Sequence, residues 1–259
     1  MLSLLRSARR ALKQMTHPEP DYGRSARLYD AIYAFKDYAH EADTLRWLLD
    51  ARGVRDGATL LDVACGTGAH LAYLKMHFQA EGLDASPDML EIAHQRHRDI
   101  PLHQADMLTF DLGKTFDVVV CLFSAIGHAR TEAGLRQAVA NMARHVAPGG
   151  WLVIEPFFTP DAWFPGSVHS RYIDQRNFHV CRMNVSDLQG SLAIMEMHYL
   201  VGTPDGVENF VERFELGLWT REQMIAAFVD AGLTVEAFDD GLMGRGLYVG
   251  HKPALGHDG

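Results

Sequence analysis

The residues best suited to bind a ligand lie between Thr59 and Asp84. An apolar run ends on Asp62, a turn containing Gly66 and Gly68 follows, and a second short apolar run ends on Asp84. This order is typical of half a βαβ unit with a ligand loop after its first strand. Glycine suits a tight turn in which a ligand lies against bare backbone. Because a carboxylate at the second strand tip can accept hydrogen bonds from both ribose hydroxyls, the segment predicts a nucleoside site.

The sequence around this turn distinguishes between two nucleoside cofactors. Dinucleotide folds usually carry a third glycine, three residues after the second, where helix and strand pack closely. Here Ala69, His70 and Leu71 follow Gly68, so that glycine is missing. The carboxylate of Asp62 would repel a pyrophosphate but attract a positively charged amino group. The spacing therefore favours S-adenosylmethionine over NAD.

From about Tyr29 to Lys252 the chain resembles the class I S-adenosylmethionine-dependent methyltransferases. The run Leu61–Gly68 is similar to the glycine-rich motif of that family, and Asp84 matches its ribose-binding acid. Asp106 and Met107 match the acid and apolar residue that bracket the adenine. The resemblance extends to the strand Phe116–Val120 and the turn Pro148-Gly149-Gly150.

This resemblance implies an α/β, Rossmann-like methyltransferase fold, in which a mostly parallel seven-stranded sheet has an antiparallel last strand. The predicted helices run over Tyr29–Leu49, Ala69–Phe78, from Ser86 onward, Thr131–Val146 and Thr220–Ala231. Strands are predicted in the two apolar runs above and at Leu102–Ala105, Val118–Leu122, Trp151–Glu155, Leu233–Phe238 and Leu247–His251.

The composition indicates one large α/β domain. The 259 residues are 47% hydrophobic and carry a formal net charge of −9, which argues against non-specific binding to nucleic acid. No apolar run approaches the roughly 20 residues that a membrane helix requires. The three cysteines are too few and too scattered for a disulfide framework. We therefore expect a cytoplasmic protein whose partners are small molecules, and a homodimer is compatible with this.

Residues 1–20 are predicted to extend a single methyltransferase domain that covers residues 21–259. The extension is basic and has no acid before Glu19. It could form an amphipathic helix that touches a membrane, or act as a targeting segment. The favoured interpretation is a frayed or partner-docking extension, because tails of this kind are common.

A helical lid is predicted at about residues 25–50, because related methyltransferases place a lid over the cofactor there. Tyr29, Tyr33 and Tyr38 are interleaved with the apolar positions of the predicted helix. The hydroxyls of such tyrosines often reach only water. In a lid, Tyr33 would contact the substrate, and Tyr29 and Tyr38 would contact the cofactor.

His128 lies directly after the predicted strand Val118–Leu122. Ligands bind at the carboxyl ends of the strands in an open α/β sheet, so His128 falls where methyl acceptors bind. A histidine near a strand end can be a structural residue, but a neutral imidazole here could accept a proton from an amine or hydroxyl. His94, His97 and His103 are predicted to face solvent, and their spacing indicates no metal site.

A small antiparallel β insertion is predicted at about residues 156–219, where the alternation of strands and helices stops. Insertions at this position usually shape the acceptor pocket in this fold. Its predicted strands are Phe178–Val185, Ser191–Val201 and Phe210–Leu218. The aromatic walls would be Phe157, Phe158, Trp163 and Phe164. Three arginines could bind phosphate oxygens or be ordinary surface cations: Arg171, Arg176 and Arg182.

A narrower resemblance is to the N,N-dimethyltransferases that act on dTDP-linked amino-deoxysugars in antibiotic biosynthesis. It rests on Tyr29-Asp30-x-x-Tyr33, Lys36-Asp37-Tyr38, Ser124-Ala125-Ile126-Gly127-His128, Glu155-Pro156-Phe157-Phe158 and Gly241–Gly250. It implies that a nucleotide-linked amino sugar contacts Tyr33, His128, Phe157, Phe158, Arg182 and Arg245. It implies S-adenosylmethionine as cofactor, with S-adenosylhomocysteine as product, held by Tyr29, Tyr38, Asp62, Ala64, Gly66, Gly68, Asp84, Asp106, Met107 and Leu122.

The resemblance implies in-line methyl transfer to an amine, in which His128 and Tyr33 are the catalytic residues that remove or orient a proton. One alternative is an O-methyltransferase that acts on a sugar or other small-molecule hydroxyl, because such enzymes share several of the motifs. A second is a cofactor-binding regulatory module without turnover. An NAD-dependent reductase is the weakest alternative.

Overall fold

The structure is a computed structural model that describes residues 22–254, so the predicted extension at residues 1–20 lies outside the described part. Its main sheet consists of β1 (Thr59–Val63), β2 (Gln79–Asp84), β3 (Leu102–Gln104), β4 (Phe116–Cys121), β5 (Val146–Ile154), β10 (Thr234–Phe238) and β11 (Leu247–His251). The strands lie in the order β10-β11-β5-β4-β1-β2-β3. All neighbours pair in parallel except β11, which is antiparallel to both β10 and β5. The predicted fold class is confirmed.

Helices lie on both faces of this sheet. They are α1 (Tyr29–Ile32), α2 (Tyr38–Asp50), α3 (Leu71–Leu74), α4 (Pro87–Arg96), α5 (Glu132–Arg144) and α6 (Arg221–Asp230). Leu61 and Val119 pack with the side chains of α5 and α6, while the alternate residues Leu60 and Val118 pack with those of α2 and α4. Because side chains alternate along a strand, each central strand supplies both cores, as its continuous apolar sequence requires.

Side-chain caps begin several of the helices at the predicted residues. The hydroxyl of Ser86 accepts from the N–H of Met89, and Pro87 follows it at the first helical position. Thr220 and Gln223 form the predicted capping box at the start of α6. These local hydrogen bonds satisfy backbone donors that a helix leaves unpaired at its N-terminus.

Two predicted helices are wrong in extent. The helix predicted over Tyr29–Leu49 is broken between Ile32 and Tyr38, because the side chain of Asp37 accepts from the N–H of His40 and caps a new helix. The helix predicted over Ala69–Phe78 is only the single turn of α3. Since Gln79 already pairs with Thr59 in the sheet, the chain must reverse direction soon after α3.

A second, four-stranded antiparallel sheet follows β5. Its strands are β6 (Val168–Gln175), β7 (Phe178–Gln189), β8 (Leu192–Thr203) and β9 (Gly206–Gly217), which pair in that order. Strand β6 is not predicted from the sequence because most of its side chains are exposed and show no apolar alternation. The inner face of this sheet packs on Leu28, Ile32, Phe157 and Trp163 and encloses a third core.

Candidate active site

A cavity of about 1030 Å³ lies between the carboxyl ends of β1, β2 and β4, the segment before α2, and the inner face of the second sheet. Residues from both the cofactor-binding prediction and the acceptor prediction line it. They are Tyr29, Tyr33, Tyr38, Asp62, Ala64, Gly66, Asp84, Asp106, Met107, Leu122, His128, Phe157, Phe158, Arg182 and Arg245. The fold therefore brings these residues to one site.

The glycine turn uses its two glycines differently. Gly66 has a φ of +57°, and a Cβ built on it would meet no atom within 4 Å, so its backbone is open to a ligand. Gly68 is not among the residues that line the cavity. A Cβ on Gly68 would lie 2.8 Å from Cδ2 of His97, so this position needs glycine for packing rather than for the predicted ligand contact.

The carboxylate of Asp84 is held by two backbone donors at the tip of β2. Its Oδ1 accepts from the N–H of Ser86 and its Oδ2 accepts from the N–H of Gly66, both at 2.8 Å. Burial raises the pKa of Asp84, and these two N–H groups oppose that rise. An ionised carboxylate can accept about four hydrogen bonds, so acceptor capacity remains for two hydroxyls.

Asp62 is a buried carboxylate at the end of β1, only 2% exposed. Its Oδ2 has no hydrogen-bond partner among residues 22–254. Burial, followed by the negative charge of Asp84, raises the pKa of Asp62 to about 8. A buried, unpaired carboxylate is costly, and a cation bound in the cavity would supply the missing partner.

The residues that the sequence predicts beside the adenine follow β3, and Leu122 follows β4. Oδ1 of Asp106 accepts from the N–H of Leu108 at 2.8 Å, which fixes the turn after β3. The carbonyl of Met107 accepts a hydrogen bond from Nδ2 of Asn141 at 3.1 Å, so α5 also holds this turn in place. Met107 and Leu122 are buried apolar side chains that face the same cavity. Together they provide an apolar slot in the cavity that Asp84 also lines.

Aromatic side chains of the N-terminal segment cover this part of the cavity. The rings of Tyr29 and Tyr33 lie 4.6 Å apart, and the ring of Tyr38 packs edge-on against His70 at 4.8 Å. Burial raises the pKa of Tyr29 well above its usual value, so the phenol stays protonated. The hydroxyl of Tyr38 is buried and has no hydrogen-bond partner within the described residues.

The residues of the acceptor prediction combine aromatic rings with guanidinium groups. Nη1 of Arg182 donates to the hydroxyl of Tyr33 at 3.2 Å, and Nη1 of Arg245 donates to the hydroxyl of Ser124 at 2.8 Å. The guanidinium of Arg245 also lies 4.7 Å from the centre of the Phe158 ring. His128 lies on a 3-10 helix, Ala125–Ala129, that follows β4, and its Nε2 is 3.4 Å from the hydroxyl of Tyr22.

Comparison with known proteins identifies the family of this chain. Residues 60–150 match the family model described as a methyltransferase domain. The dTDP-3-amino-3,6-dideoxy-alpha-D-glucopyranose N,N-dimethyltransferase of Streptomyces fradiae is 42% identical over 244 residues, covering 92% of this chain and 95% of the relative. The dTDP-3-amino-3,4,6-trideoxy-alpha-D-glucopyranose N,N-dimethyltransferase of Streptomyces venezuelae is 40% identical over 229 residues, covering 87% and 96%. The chain belongs to this family of S-adenosylmethionine-dependent methyltransferases.

Solved structures of related methyltransferases have the same fold. DesVI from Streptomyces venezuelae superposes with a TM-score of 0.82 at 39% identity, covering 91% of this chain and 100% of that one. CalS10, an amino pentose methyltransferase from Micromonospora echinaspora solved with S-adenosylmethionine bound, gives a TM-score of 0.79 at 38% identity, covering 91% and 99%. The cofactor of this methyltransferase is S-adenosylmethionine.

The cavity of the methyltransferase fits this cofactor chemically. The unpartnered Oδ2 of Asp62 suits a ligand that carries a cationic group. Asp84 keeps acceptor capacity for ribose hydroxyls, and the turn at Gly66 leaves its backbone uncovered. A dinucleotide would instead bring a pyrophosphate close to two carboxylates.

The methyltransferase also uses residues that the sequence reasoning did not assign to the site. Arg96 and His97 end α4 beside the glycine turn. Nη1 of Arg96 donates to the carbonyl of Thr67 at 2.9 Å, and Nε2 of His97 donates to the carbonyl of Gly68 at 2.7 Å. His97 is 2% exposed, so its predicted exposure to solvent is wrong. A usable signal was present, since His97 follows Leu90 and Ala93 on one helical face.

A strained turn after β4 supports the acceptor side of the methyltransferase. Phe123 and Ser124 have φ values of +50° and +67°, which are unfavourable for residues other than glycine. Oε2 of Glu155 accepts from the N–H of Phe123 at 2.6 Å, and the hydroxyl of Ser124 donates to the carbonyl of Pro156 at 3.0 Å. Burial raises the pKa of Glu155, whose side chain is fully enclosed. The Glu155-Pro156 pair thus holds the turn that carries His128.

Two predicted acceptor residues lie elsewhere. Phe164 is 70% exposed and does not line the cavity, because Trp163 beside it turns inward and donates from Nε1 to the carbonyl of Asp187. Arg176 lies in the turn between β6 and β7, away from the cavity. Arg171 does line it, and its guanidinium lies 4.2 Å from the centre of the Phe35 ring. Of these three residues, Arg171 alone lines the cavity.

Proposed function

We propose that this methyltransferase transfers the methyl group of S-adenosylmethionine to the amine of a dTDP-linked amino-deoxysugar. The observation that carries the proposal is a single cavity lined both by the Asp62 and Asp84 carboxylates, from β1 and β2, and by the guanidinium groups of Arg182 and Arg245. The carboxylates suit a cationic nucleoside, and the guanidinium groups suit an anionic nucleotide. The names of the two relatives described above state that they act on dTDP-linked amino sugars, which supports this assignment.

The cofactor would be held by the carboxylate side. Asp84 accepts hydrogen bonds from the ribose hydroxyls, Asp62 pairs with the ammonium group, and the slot at Met107 and Leu122 takes the adenine beside Asp106. Tyr29, Tyr38, Ala64 and Gly66 would complete this wall. When bound, S-adenosylmethionine supplies an electrophilic methyl group on a sulfonium and is released as S-adenosylhomocysteine.

The acceptor would be held by guanidinium groups and aromatic walls. Arg182 and Arg245 carry planar donor forks that match the oxygens of a diphosphate. Phe157 and Phe158 lie on the same wall, with Arg245 stacked on Phe158. The two phosphates of the substrate would lie close to the guanidinium groups of Arg182 and Arg245. Its sugar would then extend toward Tyr33 and His128.

The catalytic residues would then orient and deprotonate the amine. The hydroxyl of Tyr33 already accepts a hydrogen bond from Arg182. It can still donate a hydrogen bond to the amine or accept one from it. Nε2 of His128 would accept the proton that the amine loses. Because positioning two reactants can lower such a barrier by about 7–11 kcal/mol, most of the catalytic work would be alignment and exclusion of water.

Methyl transfer measured with labelled cofactor tests the proposal. We expect transfer to a dTDP-linked amino-deoxysugar and at least about tenfold lower kcat/KM for the free amino sugar, because the latter lacks the diphosphate contacts. The hydroxyl counterpart of the same nucleotide sugar separates N-methylation from the O-methyltransferase alternative. Transfer to the hydroxyl compound but not to the amine would overturn the proposal.

The location, oligomeric state, partners and domain division of the enzyme are predictions. No helix within residues 22–254 combines the length and hydrophobicity of a membrane span. A cytoplasmic location, a homodimer, absence of nucleic-acid binding and the division into extension, lid and insertion are proposed from the sequence. Light scattering coupled to size-exclusion chromatography distinguishes a dimer from a monomer of 28.9 kDa.

A further inference from the structure

We propose that Asp30 is a positioning residue that couples cofactor binding to acceptor binding through α1. This inference rests on the proposed function, since it assumes that the two sides of the cavity hold a cofactor and a nucleotide. Asp30 lies on α1 next to Tyr29, and Tyr33 directly follows the end of this helix. Tyr29 and Tyr33 are the residues assigned above to the cofactor and the acceptor. Asp30 contacts neither ligand side itself and is bonded instead to the glycine turn.

Asp30 links α1 to the glycine turn through both carboxylate oxygens. Its Oδ1 accepts from the hydroxyl of Thr67 at 2.7 Å, and its Oδ2 accepts from Nη2 of Arg96. Arg96 also donates to the carbonyl of Thr67, which closes a ring of three residues. Thr67 is 1% exposed and lies directly between Gly66 and Gly68. Any shift of the glycine turn would therefore move α1 or break the partly buried hydrogen bond between Thr67 and Asp30.

The other end of the same segment is fixed to the acceptor side. The carboxylate of Glu212 on β9 is fully buried and accepts from the N–H groups of Arg24 and Ser25, at 2.8 and 2.9 Å. The hydroxyl of Ser25 donates to the same carboxylate. Directly after α1, the hydroxyl of Tyr33 accepts a hydrogen bond from Arg182 of β7. The second sheet therefore holds this segment at two points.

The short length of α1 makes these attachments decisive. A helix of four residues has almost no stability of its own, so its position is set by what it contacts. Tyr29 and Tyr33 lie on adjacent turns with their rings 4.6 Å apart, so neither ring can move far alone. A cofactor that orders the glycine turn would also order α1 through Asp30. Tyr33 and Arg182 would then already be held in the positions that bind the nucleotide. The two ligands should therefore bind with positive cooperativity.

Calorimetric titration of the full chain measures this coupling, with S-adenosylhomocysteine and thymidine 5′-diphosphate as probes. In the unaltered protein, saturating S-adenosylhomocysteine should lower the Kd for the diphosphate by at least about fivefold. The reciprocal titration must give the same factor, because linkage is symmetric. In Asp30→Ala the factor should fall below about twofold. Asp43→Asn, which alters an exposed carboxylate of α2, should keep the original factor.

A second variant keeps the test independent of folding. Asp30→Asn retains an acceptor for the Thr67 hydroxyl but loses the charge opposite Arg96, so an intermediate factor is expected. If Asp30 had a purely structural role, its substitution would weaken the binding of both ligands and leave the ratio of the Kd values unchanged. A factor near one in the unaltered protein, or its full retention in a folded Asp30 variant, overturns the inference but not the proposed function. If the diphosphate binds neither with nor without S-adenosylhomocysteine, the proposed function fails and the inference falls with it.

Discussion

The N–H of Gly66 donates to Oδ2 of Asp84 at 2.8 Å, which joins the glycine turn after β1 to the tip of β2. This bond fixes the carboxylate relative to the bare backbone of the turn. The carboxylate assigned to the ribose and the open backbone of the turn assigned to the same cofactor are therefore positioned as one unit. A ligand that spans both needs little rearrangement of either, which lowers the entropic cost of binding.

Asp84→Ala should weaken S-adenosylhomocysteine binding by at least about 100-fold, since each hydrogen bond to a charged group is worth about 1.5–3 kcal/mol. The substitution also leaves the N–H of Gly66 without its partner. Calorimetry measures the Kd, and Asp205→Ala in the turn between β8 and β9 is the matched control. Unchanged affinity in a folded Asp84→Ala protein would refute the ribose assignment.

Asp62 should make cofactor affinity depend on pH. Its pKa of about 8 means that the carboxyl is mostly protonated below pH 8 and must lose that proton to pair with an ammonium group. The affinity for S-adenosylhomocysteine should therefore fall by up to about tenfold per pH unit between pH 8 and pH 6. Asp62→Asn should bind more weakly at pH 8 and show a flatter profile over this interval. An equal slope in the two proteins would contradict the assignment.

The same residue should destabilise the ligand-free fold. A pKa raised in the folded state means that folding favours the protonated carboxyl, so stability is lost as pH rises from about 4 to about 8. Asp62→Asn escapes this loss. Its stability advantage over the unaltered protein should grow by as much as about 1.4 kcal/mol per pH unit in that range. Urea unfolding at pH 5 and pH 8 tests the sign, and an advantage that shrinks with rising pH would be contrary to expectation.

His128→Asn should slow turnover about 100-fold without abolishing it, because general-base assistance contributes only part of the rate. Its affinity for S-adenosylhomocysteine should change by less than about twofold, since His128 is assigned to the acceptor. His94→Asn, at an exposed position of α4, serves as control. A folded His128 variant with intact cofactor binding and no activity at all would show that this imidazole is indispensable rather than assisting.

Gly68→Ala should destabilise the protein by about 1–3 kcal/mol, because strain at a φ of +72° adds to a clash with His97. Gly113→Ala is the matched control, because its φ is +63° and a Cβ there meets no atom within 4 Å. The difference in melting temperature between the two variants isolates the clash. Combining Gly68→Ala with His97→Ala should remove the part of the loss that comes from the clash. Equal melting temperatures for the two single variants would contradict the packing role.

The sequence predicts the ligand end of the main sheet well because that end depends on local pattern. Asp62, Gly66 and Asp84 each stand where a buried strand stops, and the carboxyl ends of parallel strands share one edge. Caps such as Ser86 and Thr220 are also local, since a side chain bonds a backbone N–H within three residues. These features need no knowledge of distant contacts.

Other features depend on contacts between distant residues and were missed or wrong. A polar residue at the end of a helix favours solvent, and although the spacing of His97 from Leu90 and Ala93 places it on the buried face, its burial is fixed by packing on Gly68, about 30 residues away. Strand β6 exists because β7 pairs with it, although its own residues show no apolar alternation. The single turn of α3 is cut short by the pairing of Gln79 with Thr59. In each case a tertiary contact overrides the local preference.

The second sheet has a core of its own, distinct from the two that flank the main sheet. Strand β7 carries Arg182, whereas the Asp62 and Asp84 carboxylates, which are assigned to the cofactor, belong to β1 and β2. Substitutions along the inner face of β7 and β8 should therefore alter which amine serves as methyl acceptor, while the residues assigned to the methyl donor stay intact. Such a division of labour makes the antiparallel sheet the natural place for acceptor diversification and for engineering new selectivity.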